Sequence, residues 1–99
     1  MNIENDAPES FICPACGFSG LFDPPWSAHG SQSDEICPCC GIHFGYDDDC
    51  GGVQEARPAA YAAWRTNWQA DGMRWWSNGP RQPPANWDPV QQLEAAGLH

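Results

Sequence analysis

Apolar positions change their rhythm twice along the chain. Residues 1–10 are polar and acidic with no hydrophobic period, so the pattern predicts a disordered tail there. From Phe11 to about Val53 the apolar residues flank two near-identical turns: Ile12-Cys13-Pro14-Ala15-Cys16-Gly17-Phe18 recurs as Ile36-Cys37-Pro38-Cys39-Cys40-Gly41-Ile42. Each copy sets a Cys-Pro-x-Cys-Gly turn between apolar residues, which predicts the tip of a short β-hairpin. After the second copy, Ile42, Phe44 and Tyr46 alternate with His43 and Gly45, the period of two that turns one face of a strand inward. Asp23-Pro24-Pro25 and the small polar residues from Ser27 to Ser33 predict an irregular connection between the copies.

Beyond Val53 the period lengthens. Pro58 suits a first helical position, and Tyr61, Trp64 and Trp68 then fall on one helical face until Asp71-Gly72 stops the run. Gly79-Pro80 and Pro83-Pro84 exclude regular structure from much of the next stretch, which is expected to cross the surface as an extended, Trp-rich segment. Asp88 has the character of an N-cap, with Pro89 at the first helical position, Gln91 completing a capping box and Gly97 ending a two-turn helix. The chain therefore divides into a Cys-rich half, 11–53, and an aromatic helical half, 54–99. Each is too small to stand alone, so a single domain is expected over 11–99.

Composition sharpens this picture. Ten Gly and ten Pro in 99 residues suit a loop-rich globule better than a helical bundle, and six Trp imply a buried interior. The amino terminus lacks the basic start and apolar run of a secretory signal, and no stretch is apolar enough to span a bilayer, so a cytoplasmic protein without membrane contact is expected. In a reducing compartment six cysteines in so short a chain point to metal ligation rather than disulfides. The net charge of -9 makes nucleic acid an unfavourable partner and a protein with a basic surface a favourable one.

The chemistry concentrates in the duplicated turn. Two residues between cysteines let both sulfurs of a pair reach one tetrahedral ion, so Cys13, Cys16, Cys37 and Cys40 are the expected metal ligands. Proline pre-sets φ after the first ligand, glycine accepts the positive φ that bends the chain back, and the turned backbone can aim N–H groups at the sulfurs. The aliphatics from Phe11 to Val53 are only Ile12, Leu21, Ile36, Ile42 and Val53, too few to order the turns unaided. An all-thiolate zinc site contributes on the order of 10 kcal/mol of apparent folding free energy at neutral pH. Zinc is the expected ion, with iron in a rubredoxin-type electron carrier as the chemical alternative.

The string from Glu35 to Asp49, Glu-Ile-Cys-Pro-Cys-Cys-Gly-Ile-His-Phe-Gly-Tyr-Asp-Asp-Asp, resembles the signature of the cysteine-rich CPCC family of small bacterial proteins. The resemblance extends to the first Cys-Pro-x-Cys-Gly turn, to Asp23-Pro24-Pro25, to the aromatic helix ending near Gly72 and to Pro83-Pro84-Ala85-Asn86-Trp87-Asp88-Pro89, about residues 11 to 93. It implies a zinc-ribbon or rubredoxin-like metal knuckle and no established activity. Cys39 belongs to that family's pattern, whereas His43 and Cys50 are particular to this chain.

Other side chains are open to two readings each. Cys39, beside ligand Cys40, is either a packed thiol or a redox sensor that releases metal on oxidation. Cys50, in an acidic setting, is expected to be a free surface cysteine, and His43 a solvated strand residue, since four thiolates already complete a tetrahedron. Asp47-Asp48-Asp49 is either an acidic turn that caps nearby N–H groups or a surface that holds a basic partner. It is not a calcium loop, because the twelfth position from Asp47 is Pro58 and not a bidentate carboxylate. The Trp residues at 64, 68, 75, 76 and 87 are either packing against the metal half or a stacking platform for sugar or nucleobase. No nucleophile–base pair, phosphate-cradling loop or paired catalytic carboxylates can be assembled, and an enzyme is not expected. The resulting expectation is an α+β zinc-ribbon-like domain: two short β-hairpins clamp the ion, and two short helices and a Trp-rich segment cover one side. Its function is expected to be that of a zinc-binding protein-interaction module.

Overall fold

The computed structural model describes residues 11–98, so the expected tail at 1–10 and His99 lie outside the described residues. Two α-helices form, α1 at Arg57–Ala70 and α2 at Pro89–Ala95, preceded by single 3₁₀ turns at Cys50–Gly52 and Gln54–Ala56. Ala59, Ala63 and Ala70 lie on the solvent side of α1, Pro58 opens its first turn, and Trp68 is its buried residue. The helix ends where Gly72 takes a φ of 98° and the Met73 N–H donates to Trp68 O at 2.9 Å, a bond only a left-handed residue before it allows. In α2 the Asp88 carboxylate accepts from the N–H groups of Val90 and Gln91, and Gly97 closes the far end with a Leu98 N–H bond to Leu93 O.

The expected α+β architecture with two β-hairpins is not what forms. Among the described residues there is no β-strand. Antiparallel pairing is confined to three isolated contacts, Phe11 with Leu21, Trp26 with Gln32 and Ile36 with His43. The physical reason is clearest after the second turn, where the period of two predicts a strand over 42–46. Ile42 and Phe44 do point inward, but Gly45 turns to a φ of 94° and the N–H groups of Tyr46 and Asp47 fold back onto His43 O. Two side chains hold this reversal, Asp47 accepting from His43 N at 2.9 Å and Asp48 from Gly45 N at 2.6 Å. Tyr46, expected on the inner face, is 78% exposed.

The buried apolar side chains form one cluster drawn from both halves: five cysteines, Ala15, Phe18, Leu21, Ile42 and Phe44 from the first, Trp68 and Leu93 from the second. Trp75 joins them, its ring edge-on to Phe18 at 5.5 Å and to Trp87 at 5.3 Å. Arginine ties the rest. Arg81 Nη2 donates to Gly20 O at 2.7 Å and Nη1 pairs with Glu35, whose carboxylate also accepts the N–H groups of Phe22 and Asp23. Arg57 lies 3.5 Å over the Trp26 ring and donates to Asp48 O.

Asp48 is fully buried, and its burial is tolerable because every side faces a donor. Trp26 Nε1 and Tyr61 Oη reach its Oδ2 at 2.8 and 2.6 Å, while Gly45 N reaches Oδ1. Burial, and then the hydrogen bond and charge of Asp48, hold the Tyr61 phenol above its ordinary value of 10.0. A group whose pKa is raised on folding lends stability that is complete below the unfolded-state value and lost as pH climbs through the folded one. Replacing Tyr61 with Phe should therefore cost about 1–2 kcal/mol in urea unfolding at neutral pH. The variant should also lose less stability than the parent between neutral pH and the region above pH 10.

Candidate metal centre

Both cysteine turns close in the same way. Cys13 N donates to Phe18 O at 2.8 Å and Gly17 N to Cys13 O at 2.9 Å; Cys37 N donates to Ile42 O at 2.9 Å and Gly41 N to Cys37 O at 2.8 Å. The two glycines hold φ values of 87° and 81°, and each lies where the aromatic half presses closest. A Cβ on Gly17 would stand 3.0 Å from Gln92 O and Ala96 Cβ of α2, and one on Gly41 would stand 2.5 Å from Trp76 Cδ1. Glycine is thus required twice over, for the turn and for the approach of the second half.

The turns bring Cys13, Cys16, Cys37 and Cys40 together with all four sulfurs within 4.8 Å of one another. Cys13 and Cys40 are 3.8 Å apart and Cys16 and Cys37 are 3.7 Å apart, far beyond a disulfide bond. Four thiolates placed about 2.3 Å from one ion define a tetrahedron with edges of about 3.8 Å, so this donor set fits a tetrahedral thiophilic metal. Three of the sulfur-bearing residues are wholly buried and Cys40 is 5% exposed. Hydrogen bonds from Cys16, Cys37 and Cys40 pull the Cys13 thiol well below the ordinary thiol range. The same bonds to Cys13 push Cys16 and Cys40 far above it. Hydrogen bonding among buried sulfurs supports a charge on one of them; a divalent cation lets all four ionise.

The surrounding backbone is arranged for such an ion. A tetrathiolate is anionic, and the carbonyl oxygens of tight turns would add to its negative potential unless they faced donors. Arg65 Nη1 takes Pro14 O and Ala15 O at 3.2 and 3.1 Å, and Gln92 Nε2 takes Cys16 O at 2.9 Å. In the second turn Ser77 N takes Pro38 O, Trp76 N takes Cys39 O and Trp64 Nε1 takes Cys40 O. With the two glycine N–H bonds, every carbonyl of both Cys-Pro-x-Cys segments is satisfied.

Cys39 is wholly buried outside the four-sulfur group, and its sulfur lies 3.4 Å from Gln92 Nε2. Hydrogen bonding with Cys16 and then with Gln92 draws its thiol below the usual range against the effect of burial. Cys50 is half-buried at a φ of 53°, and His43 stacks on Tyr46 with its Nε2 4.0 Å from Asp34, apart from the sulfurs. The acidic run at Asp47, Asp48 and Asp49 does not form one exposed face: Asp48 is internal, Asp47 is half-buried on His43 N, and Asp49 alone is exposed. Glu35, Arg65 and Gln92 have no spacing that marks them in the sequence. The one available signal is that all four cations, Arg57, Arg65, Arg74 and Arg81, are arginine, the residue whose forked donors suit carbonyl clamps.

No family model matches the chain, and no solved structure matches it. It is similar to uncharacterized protein YoaQ of Bacillus subtilis (strain 168), 32% identical over 71 residues that cover 64% of this chain and 60% of that protein. It is also similar to uncharacterized protein YozI of the same organism, 36% identical over 44 residues that cover 42% of this chain and 36% of that protein. The chain thus spans less than two thirds of either relative's length.

The four-sulfur site makes a direct prediction. Serine at any one of Cys13, Cys16, Cys37 or Cys40 should reduce bound metal well below one ion per chain after desalting, measured by elemental analysis. Cys50→Ser should keep the parent's full content.

Proposed function

We propose that the protein is a small zinc-binding module in which the ion organises the fold and takes no part in catalysis. The carrying observation is the closure of the site. Four cysteine sulfurs within 4.8 Å of one another would fill every position of a tetrahedral ion, and a structural zinc has no open position for water or substrate, whereas a catalytic one keeps a position free. Supporting it, donors from residues 64–92 lock the outer carbonyls of both turns, so the ion would join the Cys-rich half to the aromatic half. The resemblance to the CPCC family agrees with a metal knuckle of this kind. No helix among the described residues is long and apolar enough to cross a membrane.

Zinc is preferred over iron because closed tetrathiolate sites in small modules are most often structural zinc sites. Protein purified under reducing conditions from a host grown without added metal should be colourless and carry one zinc per chain. Cobalt should replace that zinc with the intense sulfur-to-metal absorption of a tetrahedral thiolate site. A red protein that bleaches on reduction would assign iron and an electron-transfer role, and a protein without stoichiometric metal would remove the reading.

A further inference from the structure

Next to the sulfur cluster, lined in part by Cys40, lies an open cleft of about 660 Å³, within the range of small-molecule sites. One wall is a face of α1, where Trp64, Asn67 and Trp68 fall at helical spacings, continued by Asp71 just past the end of the helix. The other is the extended segment carrying Arg74, Trp75 and Trp76, fixed by the bonds of Trp76 N and Ser77 N to the second cysteine turn. Both walls are thus positioned by the metal centre without belonging to it.

Charge inside the cleft cancels. Arg74 Nη2 pairs with Asp71 Oδ2 at 2.9 Å, so an anion entering the cleft meets Asp71 and the chain's net charge of -9, and a cation meets Arg74. A neutral ligand meets neither penalty. Its hydrogen-bonding character follows from what is left unpartnered. Five indole N–H groups, those of Trp26, Trp64, Trp68, Trp75 and Trp87, each donate to an acceptor in the fold. Among the described residues, Trp76 Nε1 and the Asn67 carboxamide have no hydrogen-bond partner, and Trp76 is 54% exposed. The cleft is therefore lined by an indole that packs on Gly41 along its pyrrole edge and is otherwise about half exposed, together with an amide, a guanidinium and a carboxylate, all planar groups that bind neighbouring hydroxyls in pairs.

From this arrangement we propose that the cleft is a binding site for a neutral saccharide. The apolar C–H face of a pyranose lies on Trp76, and its hydroxyls are held by Asn67 and the Asp71–Arg74 pair. A free nucleoside shares the flat face but offers fewer adjacent hydroxyl pairs to this rim, and an oligoproline strand has no donors for it.

The test is nitrogen–proton NMR titration of the metal-loaded full chain with cellobiose, maltose and diacetylchitobiose, and separately with adenosine and hexaproline. At least one disaccharide should shift the Trp76 indole signal saturably, with a dissociation constant of about 1 mM or tighter. Asn67→Ala, an exposed helix-surface change that should leave metal content intact, should weaken that binding about tenfold. Trp76→Ala should abolish it. No saturable shift with any of the three disaccharides, equal binding by the Asn67 variant, or tighter binding of adenosine or hexaproline would each overturn the proposal. A colourless zinc protein that binds no sugar would leave the zinc reading standing, and a sugar-binding iron protein would do the reverse.

Discussion

Four sulfurs packed within 4.8 Å of each other, nearly all out of reach of water, set the terms for everything around them. Desolvated negative charge at that density is unfavourable unless a cation sits at its centre and positive dipoles face it from outside. The Cys-Pro-x-Cys-Gly turns meet the second condition by directing carbonyls away from the sulfurs. The aromatic half then supplies those carbonyls with donors: a guanidinium, a carboxamide, an indole and two backbone N–H groups. On the zinc reading, one ion and one ring of hydrogen bonds hold together two halves that share too few aliphatic side chains to do so.

This arrangement explains the unusual use of polar residues. Three of the four arginines are committed inside the molecule, Arg57 to Trp26 and Asp48, Arg65 to the first cysteine turn, and Arg81 to Gly20 and Glu35. Gln92 works similarly: its Oε1 accepts from Trp87 Nε1 while its Nε2 serves Cys16 O and Cys39. Only Arg74 faces outward, beside the Trp-walled cleft. An acidic exterior follows from the arginines' internal work more than from any cluster of exposed aspartates.

What is legible in the sequence is what short-range chemistry dictates. The duplicated turn points to its four sulfurs because two-residue spacing and a following glycine are a local rule. Pro58, Gly72, Asp88 and Gly97 mark helix boundaries for the same reason. The expected hairpins fail because Ile42, Phe44 and Tyr46 satisfy a period of two while Asp47 and Asp48, the two residues that follow, reach back and convert the run into a turn. Partnerships across 51, 61 and 76 positions, those of Arg65, Arg81 and Gln92, leave no trace in any local window. Asp48 is the sharpest case: an acidic run reads as surface, and only the fold shows an indole, a phenol and an amide converging on its middle member.

The central claim is that the ion carries the fold, and the most direct test follows the half of the molecule that holds no ligand. Metal should be removed with a chelator under reducing conditions at neutral pH while the indole N–H signals of Trp64, Trp68, Trp75 and Trp87 are recorded. The account predicts that these collapse toward random-coil positions together with the backbone amides and return on addition of one equivalent of zinc. Retention of the dispersed spectrum and an unchanged melting temperature in the stripped protein would contradict it.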